Sequence, residues 1–212
     1  MLTIKALRAL DGKGFALAGS GAIREHGVVD RLTRDVDLFT NGANPEEFAA
    51  AVNLVVAEFS RDGFETQVVR QSDAFAQLLI STPDGQSVEM DLAVDWRERD
   101  VVPMSVGDVL SLEDAVGSKL SALYSRCEVR DYIDVDAIRT DGRLTDEQLL
   151  REASERDPGF DPIMFASQLD RVNSLAYRRF EEYGLSEQQF EALKQRLVAW
   201  ASTIRRSPPR DN

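Results

Sequence analysis

One cysteine and one histidine stand among the 212 residues. Cys127 alone excludes an internal disulfide and a cysteine-built metal site, which leaves it a small, partly buried hydrophobe. His26 alone argues against imidazole-rich zinc sites and against a histidine-based catalytic triad. No apolar run approaches the roughly 18–20 residues that span a bilayer, and the N-terminus carries no signal-peptide pattern. The expectation is a cytoplasmic protein with no membrane partner. Basic residues are outnumbered as well: 25 Lys and Arg against 37 Asp and Glu give a net charge of -12. Phosphate contacts need Lys and Arg, so this balance argues against strong nonspecific nucleic-acid binding while leaving room for a local basic groove. Arginines do gather at Arg24, Arg31 and Arg34, at Arg126 and Arg130, and in the pairs Arg178–Arg179 and Arg205–Arg206.

What is present is enough for a sizeable core, since 43% of the residues are hydrophobic. That supports one large domain or one domain with a smaller companion. "FALAGSGAIREHG" reads as an apolar strand, a Gly-Ser turn and a helix start. "TRDVDLFT" alternates as a strand does, with Val36 and Leu38 on one face and Asp35, Asp37 and Phe39 on the other. Pro45 opens a helix whose acidic first turn suits the helix dipole and which Gly63 can end. "FETQVVR" and "AFAQLLIST" are further strands, and the turn "PDGQ" joins the second to "SVEMDLAVD" as an antiparallel hairpin. A capped helix begins near Ser111, and helical patterns cover 131–139, 145–156, 162–183 and 186–205. The fold class is therefore α/β (α+β): a mixed or antiparallel sheet flanked by helices over residues 1–105, then a mostly helical region over 106–212.

Within this frame, "GSGAIREHGVVDRLTRDVDLF" aims two carboxylates, Asp35 and Asp37, at nearly the same point from one strand face. Like charges so placed repel unless a cation sits between them, and hard oxygen donors of this kind suit Mg²⁺ or Mn²⁺. "SVEMDLAVD" offers Glu89, Asp91 and Asp95 on a single face; Asp91, in mid-strand, is the expected third carboxylate. Three carboxylates around a divalent ion can activate a hydroxyl and orient a nucleoside triphosphate. Gly19 and Ser20 supply backbone amides and a hydroxyl where a phosphate could rest. A surface strand with solvated aspartates after an ordinary turn is the simpler alternative. Thr33 shares the face of the aspartates, so a phosphate added there would set negative charge against the acids and hinder nucleotide binding. Arg34, pointing the other way, suits a structural ion pair as well as a triphosphate contact.

"GSGAIREHG…RLTRDVDLF", "VEMDLAVD" and "KLSALYSRCEVRDYIDV", in this order over residues 15–140, resemble the AbiEii/AbiGii (MenT-like) nucleotidyltransferase toxins of the DNA polymerase β-like superfamily. The resemblance implies that Lys119 binds the nucleotide phosphates, although a lysine beside Leu120 and Leu123 on a helix is also an ordinary surface residue. It implies an activity-determining aspartate in "RDYIDV", matched by Asp131 after Arg130, with Asp134 on nearly the same helical face as the other candidate. Asp131 could equally favour an ordinary helix N-terminus. Further implications are an RNA acceptor, namely the 3′ end of tRNA, translation blocked through lost aminoacylation, and a cognate antitoxin, which in some members acts by phosphorylation. The alternatives are an aminoglycoside-type small-molecule nucleotidyltransferase, which the acidic charge favours, and an inert nucleotide- or antitoxin-binding module of the same fold.

Overall fold

The computed structural model describes residues 2–31, 35–82 and 85–206. They form two compact units, Met1–Ala115 and Val116–Asn212. The second unit begins inside a helix. Thr33, Arg34 and the Pro83–Asp84 half of the expected hairpin turn lie outside the described residues.

The first unit runs α1 (Leu2–Ala9), β1 (Ala16–Leu17), α2 (Gly19–Glu25), β2 (Asp35–Thr40), α3 (Pro45–Arg61), β3 (Glu65–Gln71), β4 (Phe75–Ser81), β5 (Ser87–Val94), β6 (Val102–Met104) and β7 (Gly107–Val109). Its seven strands make one mixed sheet in the order β3-β4-β5-β2-β1-β7-β6. β2 is parallel to β5 and β1 to β7, while β4 and β5 form the expected antiparallel hairpin. Alternation gives the sheet two unlike faces. Leu38, Ala76, Leu78, Ile80, Met90 and Leu92 are fully buried on one, and the register pairs Leu38 with Leu92, Ala76 with Leu92 and Leu78 with Met90. Phe75, Gln77, Leu79, Asp91 and Ala93 on the other face remain half-buried.

Helix α3 shows why these boundaries form. Asn44 accepts hydrogen bonds from the amides of Glu46 and Glu47 while the Glu47 side chain accepts one from the Asn44 amide, a reciprocal cap. Pro45 supplies the first helical residue and Gly63, at φ +79°, follows the end. Phe48, Val52, Val55 and Phe59 are fully buried along the helix, each contributing about 1.5–3 kcal/mol relative to exposure. Phe48 stacks near Phe15 and Phe59 meets Phe64 edge to face.

Helix α4 (Leu112–Arg126) begins where Ser111 Oγ accepts from the Asp114 amide at 3.0 Å, the cap expected there. In the second unit follow α5 (Val129–Asp141), α6 (Asp146–Arg156), α7 (Pro162–Asp170), a 3₁₀ turn at Arg171–Ser174, α8 (Arg178–Glu181) and α9 (Glu187–Arg206). The continuous helix expected over 162–183 is broken at Asp170. Ser174 Oγ donates to the Arg171 carbonyl at 2.7 Å, a local bond that competes with the helical ladder. Fully buried Trp200 of α9 meets Phe165 of α7 edge to face at 5.4 Å. Gly117 lets α4 approach the α6 backbone: a Cβ there would lie 2.7 Å from the Glu152 carbonyl oxygen. No helix among the described residues is long and apolar enough to cross a membrane.

Candidate active site

Asp35 and Asp37 open β2 on the half-buried face of the sheet, while Val36, Leu38 and Thr40 take the other side. The parallel pairing with β5 sets Asp37 directly opposite Asp91 and Asp35 opposite Glu89. Among the acids of β5 and its end, register therefore makes Asp91 the neighbour of Asp37. Asp95 lies beyond β5, where its amide donates to the Thr40 carbonyl and its carboxylate accepts from the Trp96 amide at 3.0 Å.

Gly19 completes this corner. The Ala18 amide donates to the Asp37 carbonyl at 2.8 Å, which brings the start of α2 onto β2. Gly19 has φ +56°, and a Cβ on it would fall 1.8 Å from Asp37 Oδ2. Only a residue without a side chain leaves room there for the carboxylate. The Gly-Ser pair is thus the first turn of α2 itself and not a separate turn before it. Ser20 is buried, and its hydroxyl accepts from Arg31 Nη2 at 2.7 Å. Arg31 stood in the sequence only as one member of an arginine cluster; an eleven-residue separation across a helix end gave no sign of this contact.

The donor set on this corner is carboxylate oxygen, the type that Mg²⁺ and Mn²⁺ prefer. No group of three His, Cys, Asp or Glu side chains among the described residues is close enough to enclose a metal ion. Mg²⁺ commonly takes one or two protein carboxylates and fills its remaining positions with water and substrate phosphate oxygens, so an open pair beside a bare glycine fits it.

In the second unit, Lys119 is buried and its Nζ lies 2.9 Å from Asp134 Oδ2, which is fully buried. It is not a surface lysine with a solvated tip. Asp131, also fully buried, receives a two-pronged contact from Arg126, at 2.9 Å from Nε and 2.8 Å from Nη2. Its carboxylate also accepts from the Glu128 amide at 3.2 Å, closing the first turn of α5. The two aspartates of "RDYIDV" are separated by these contacts: Asp134 meets the lysine, and Asp131 holds the helix start. In sequence, Asp134 was marked only by its place three residues after Asp131.

Residues 2–208 match a family model described as nucleotidyl transferase AbiEii toxin, type IV TA system. No curated protein sequence matches the chain. Among solved structures, JHP933 from Helicobacter pylori aligns with a TM-score of 0.58 at 16% identity, over 96% of this chain and 88% of that one. MenT4, the nucleotidyltransferase toxin Rv2826c from Mycobacterium tuberculosis H37Rv, aligns with a TM-score of 0.60 at 16% identity, over 95% and 81%. At that identity these likenesses establish a shared fold.

Proposed function

Since the chain belongs to the AbiEii nucleotidyltransferase toxin family, we propose that this toxin–antitoxin nucleotidyltransferase moves a nucleoside monophosphate from an NTP to RNA, and that the acceptor is the 3′ end of tRNA. The observation that carries the chemistry is the register of Asp37 against Asp91, with Asp35 on the same face and Gly19 bare beside it. Asp35 and Asp37 would hold Mg²⁺ or Mn²⁺ as a pair, with water and substrate phosphate oxygens in the remaining positions and Asp91 set opposite Asp37. Bound there, the ion would offset phosphate charge and favour the ionised form of the acceptor hydroxyl.

The protein's own groups do the rest. The Gly19–Ser20 turn, with Arg31 donating to the serine, lies where backbone amides and a guanidinium can receive phosphate oxygens. The resemblance to the family gives Lys119 the role of binding nucleotide phosphates, and within the second unit Asp134 would hold its ammonium in place. The acceptor oxygen attacks the α-phosphorus, a new O–P bond forms, and the bond to the β-phosphate bridge breaks to release pyrophosphate. Asp91, at the far side of Asp37, is the base within the carboxylate set that can take the hydroxyl proton. The outcome would be tRNA that can no longer be aminoacylated, in the cytoplasm, under control of a cognate antitoxin.

Net charge favours a second reading, an aminoglycoside-type acceptor, because -12 suits a cationic small substrate. Incubation of the purified protein with total tRNA, Mg²⁺ and each α-³²P-labelled NTP, beside Asp37→Ala, separates the two. Label in tRNA from the wild type alone supports the RNA reading; label absent from RNA with every NTP, and present on an added aminoglycoside, overturns it.

A further inference from the structure

The half-buried face that carries the catalytic carboxylates continues past them toward the edge strand. Register places Asp37, Asp91, Gln77 and Arg70 side by side on β2, β5, β4 and β3. Neighbouring strands are about 4.8 Å apart, so this row extends roughly 14 Å from Asp37. Arg70 is on the face only because β3 is irregular: Val68 pairs with Leu78, but Arg70, not Val69, pairs with Gln77. The extra residue is a β-bulge, a device that re-aims a side chain and is frequent beside active sites. Without it Arg70 would point to the buried face that holds Ala76 and Leu78. The bulge instead brings a guanidinium onto the face of Asp35, Asp37, Glu89 and Asp91, where it lies 5.6 Å from the centre of the Phe75 ring.

Direction follows from the chemistry. In-line displacement requires the attacking hydroxyl and the leaving pyrophosphate on opposite sides of the phosphorus. Phosphate binding is assigned to Gly19 and Ser20, on the β1 side of Asp37. The acceptor must then approach from the β5 side, along the row toward β4 and β3.

We infer that Arg70, Phe75 and Gln77 form the acceptor subsite, a track for the single-stranded 3′ end of an RNA. Arg70 contacts a backbone phosphate, Phe75 stacks a base, and Gln77 hydrogen-bonds between them and Asp91. At a rise of about 3.4 Å per stacked nucleotide, the row is long enough for a few nucleotides. Aromatic stacking beside a cation is the usual way to hold a single strand without reading its sequence. The inference rests on the RNA-acceptor reading above.

The test compares wild type, Arg70→Ala, Arg70→Lys and Phe75→Leu in labelling of tRNA, with KM for tRNA, KM for NTP and Tm measured on each. Arg70→Ala should raise the KM for tRNA about tenfold and Phe75→Leu by a similar factor, the size of one stacked base or one charge-assisted contact. KM for NTP and Tm should stay at wild-type values, and Arg70→Lys should recover part of the loss. The slope of log Kd for a 5′-labelled single-stranded RNA against log salt should also fall by about 0.7 in Arg70→Ala, one phosphate contact fewer. If the wild type labels tRNA and both Arg70→Ala and Phe75→Leu keep its KM, the track is overturned while the RNA reading stands. If the wild type labels no RNA with any NTP, the reading and the track fall together.

Discussion

Gly19 stands so close to Asp37 that a single added methyl would fall 1.8 Å from the carboxylate oxygen. The contact joins a strand residue to the start of a helix, and it ties a backbone conformation at φ +56° to the orientation of a carboxylate. Gly19→Ala should therefore displace Asp37 or the start of α2. A displacement of about 1 Å at a reacting centre costs on the order of a hundredfold in rate. We expect that loss in a nucleotide-transfer assay, with a circular dichroism spectrum close to the wild type.

Lys119 and Asp134 form a buried ion pair. Removing one partner of such a pair typically costs about 3–5 kcal/mol, whereas replacing both by apolar residues is often neutral. Lys119→Met and Asp134→Leu should each lower stability in urea titrations, and the double variant should recover most of it. Transfer activity should be lost in all three. Recovered activity in the double variant would show that the lysine serves only the fold.

Chelation by EDTA should stop transfer, and Mg²⁺ or Mn²⁺ should restore it. Asp37→Asn keeps the shape of the side chain but removes the charge, so it should raise the Mg²⁺ concentration needed for half-maximal rate by tenfold or more, on the order of one charged ligand. Mn²⁺ binding followed by electron paramagnetic resonance, in the presence of a non-hydrolysable NTP, checks the same point without turnover.

Gly117 lies where α4 crosses α6, with the Glu152 carbonyl 2.7 Å from where a Cβ would be. Gly117→Ala should cost about 1–3 kcal/mol through overpacking. That predicts a lower Tm in thermal unfolding followed at 222 nm, with KM values unchanged where the protein remains folded.

The strands and helices legible in the sequence were those with a full period to read. Asp35, Asp37 and Asp91 could be set on one face because alternation in β2 and β5 is uninterrupted. Their mutual placement could not, since β5 pairs with a strand some fifty residues earlier and only the register shows Asp91 opposite Asp37. β6 and β7, three residues each, are too short to display a period, and the two-residue β1 was legible only as the apolar run before the Gly-Ser pair. Their pairing is supplied by neighbours. The partner of Lys119 was hidden for a similar reason: the lysine and Asp134 lie on different helices, and spacing along the chain does not encode which side chains of α4 and α5 meet. The bulge at Val69 left no trace either, because "QVVR" reads equally well as a regular strand.

The parallel pairing of β2 with β5 also bears on how such a protein can lose its activity over time. Side chains there alternate strictly, so gaining or losing one residue in either strand turns its acids inward and its Leu, Val or Met outward. A length change would destroy fold and chemistry in one event and leave nothing to inherit. Exchange of a single carboxylate would instead leave the scaffold whole. Silent descendants of this chain should therefore differ from it at Asp35, Asp37 or Asp91 by substitution, with strand lengths intact.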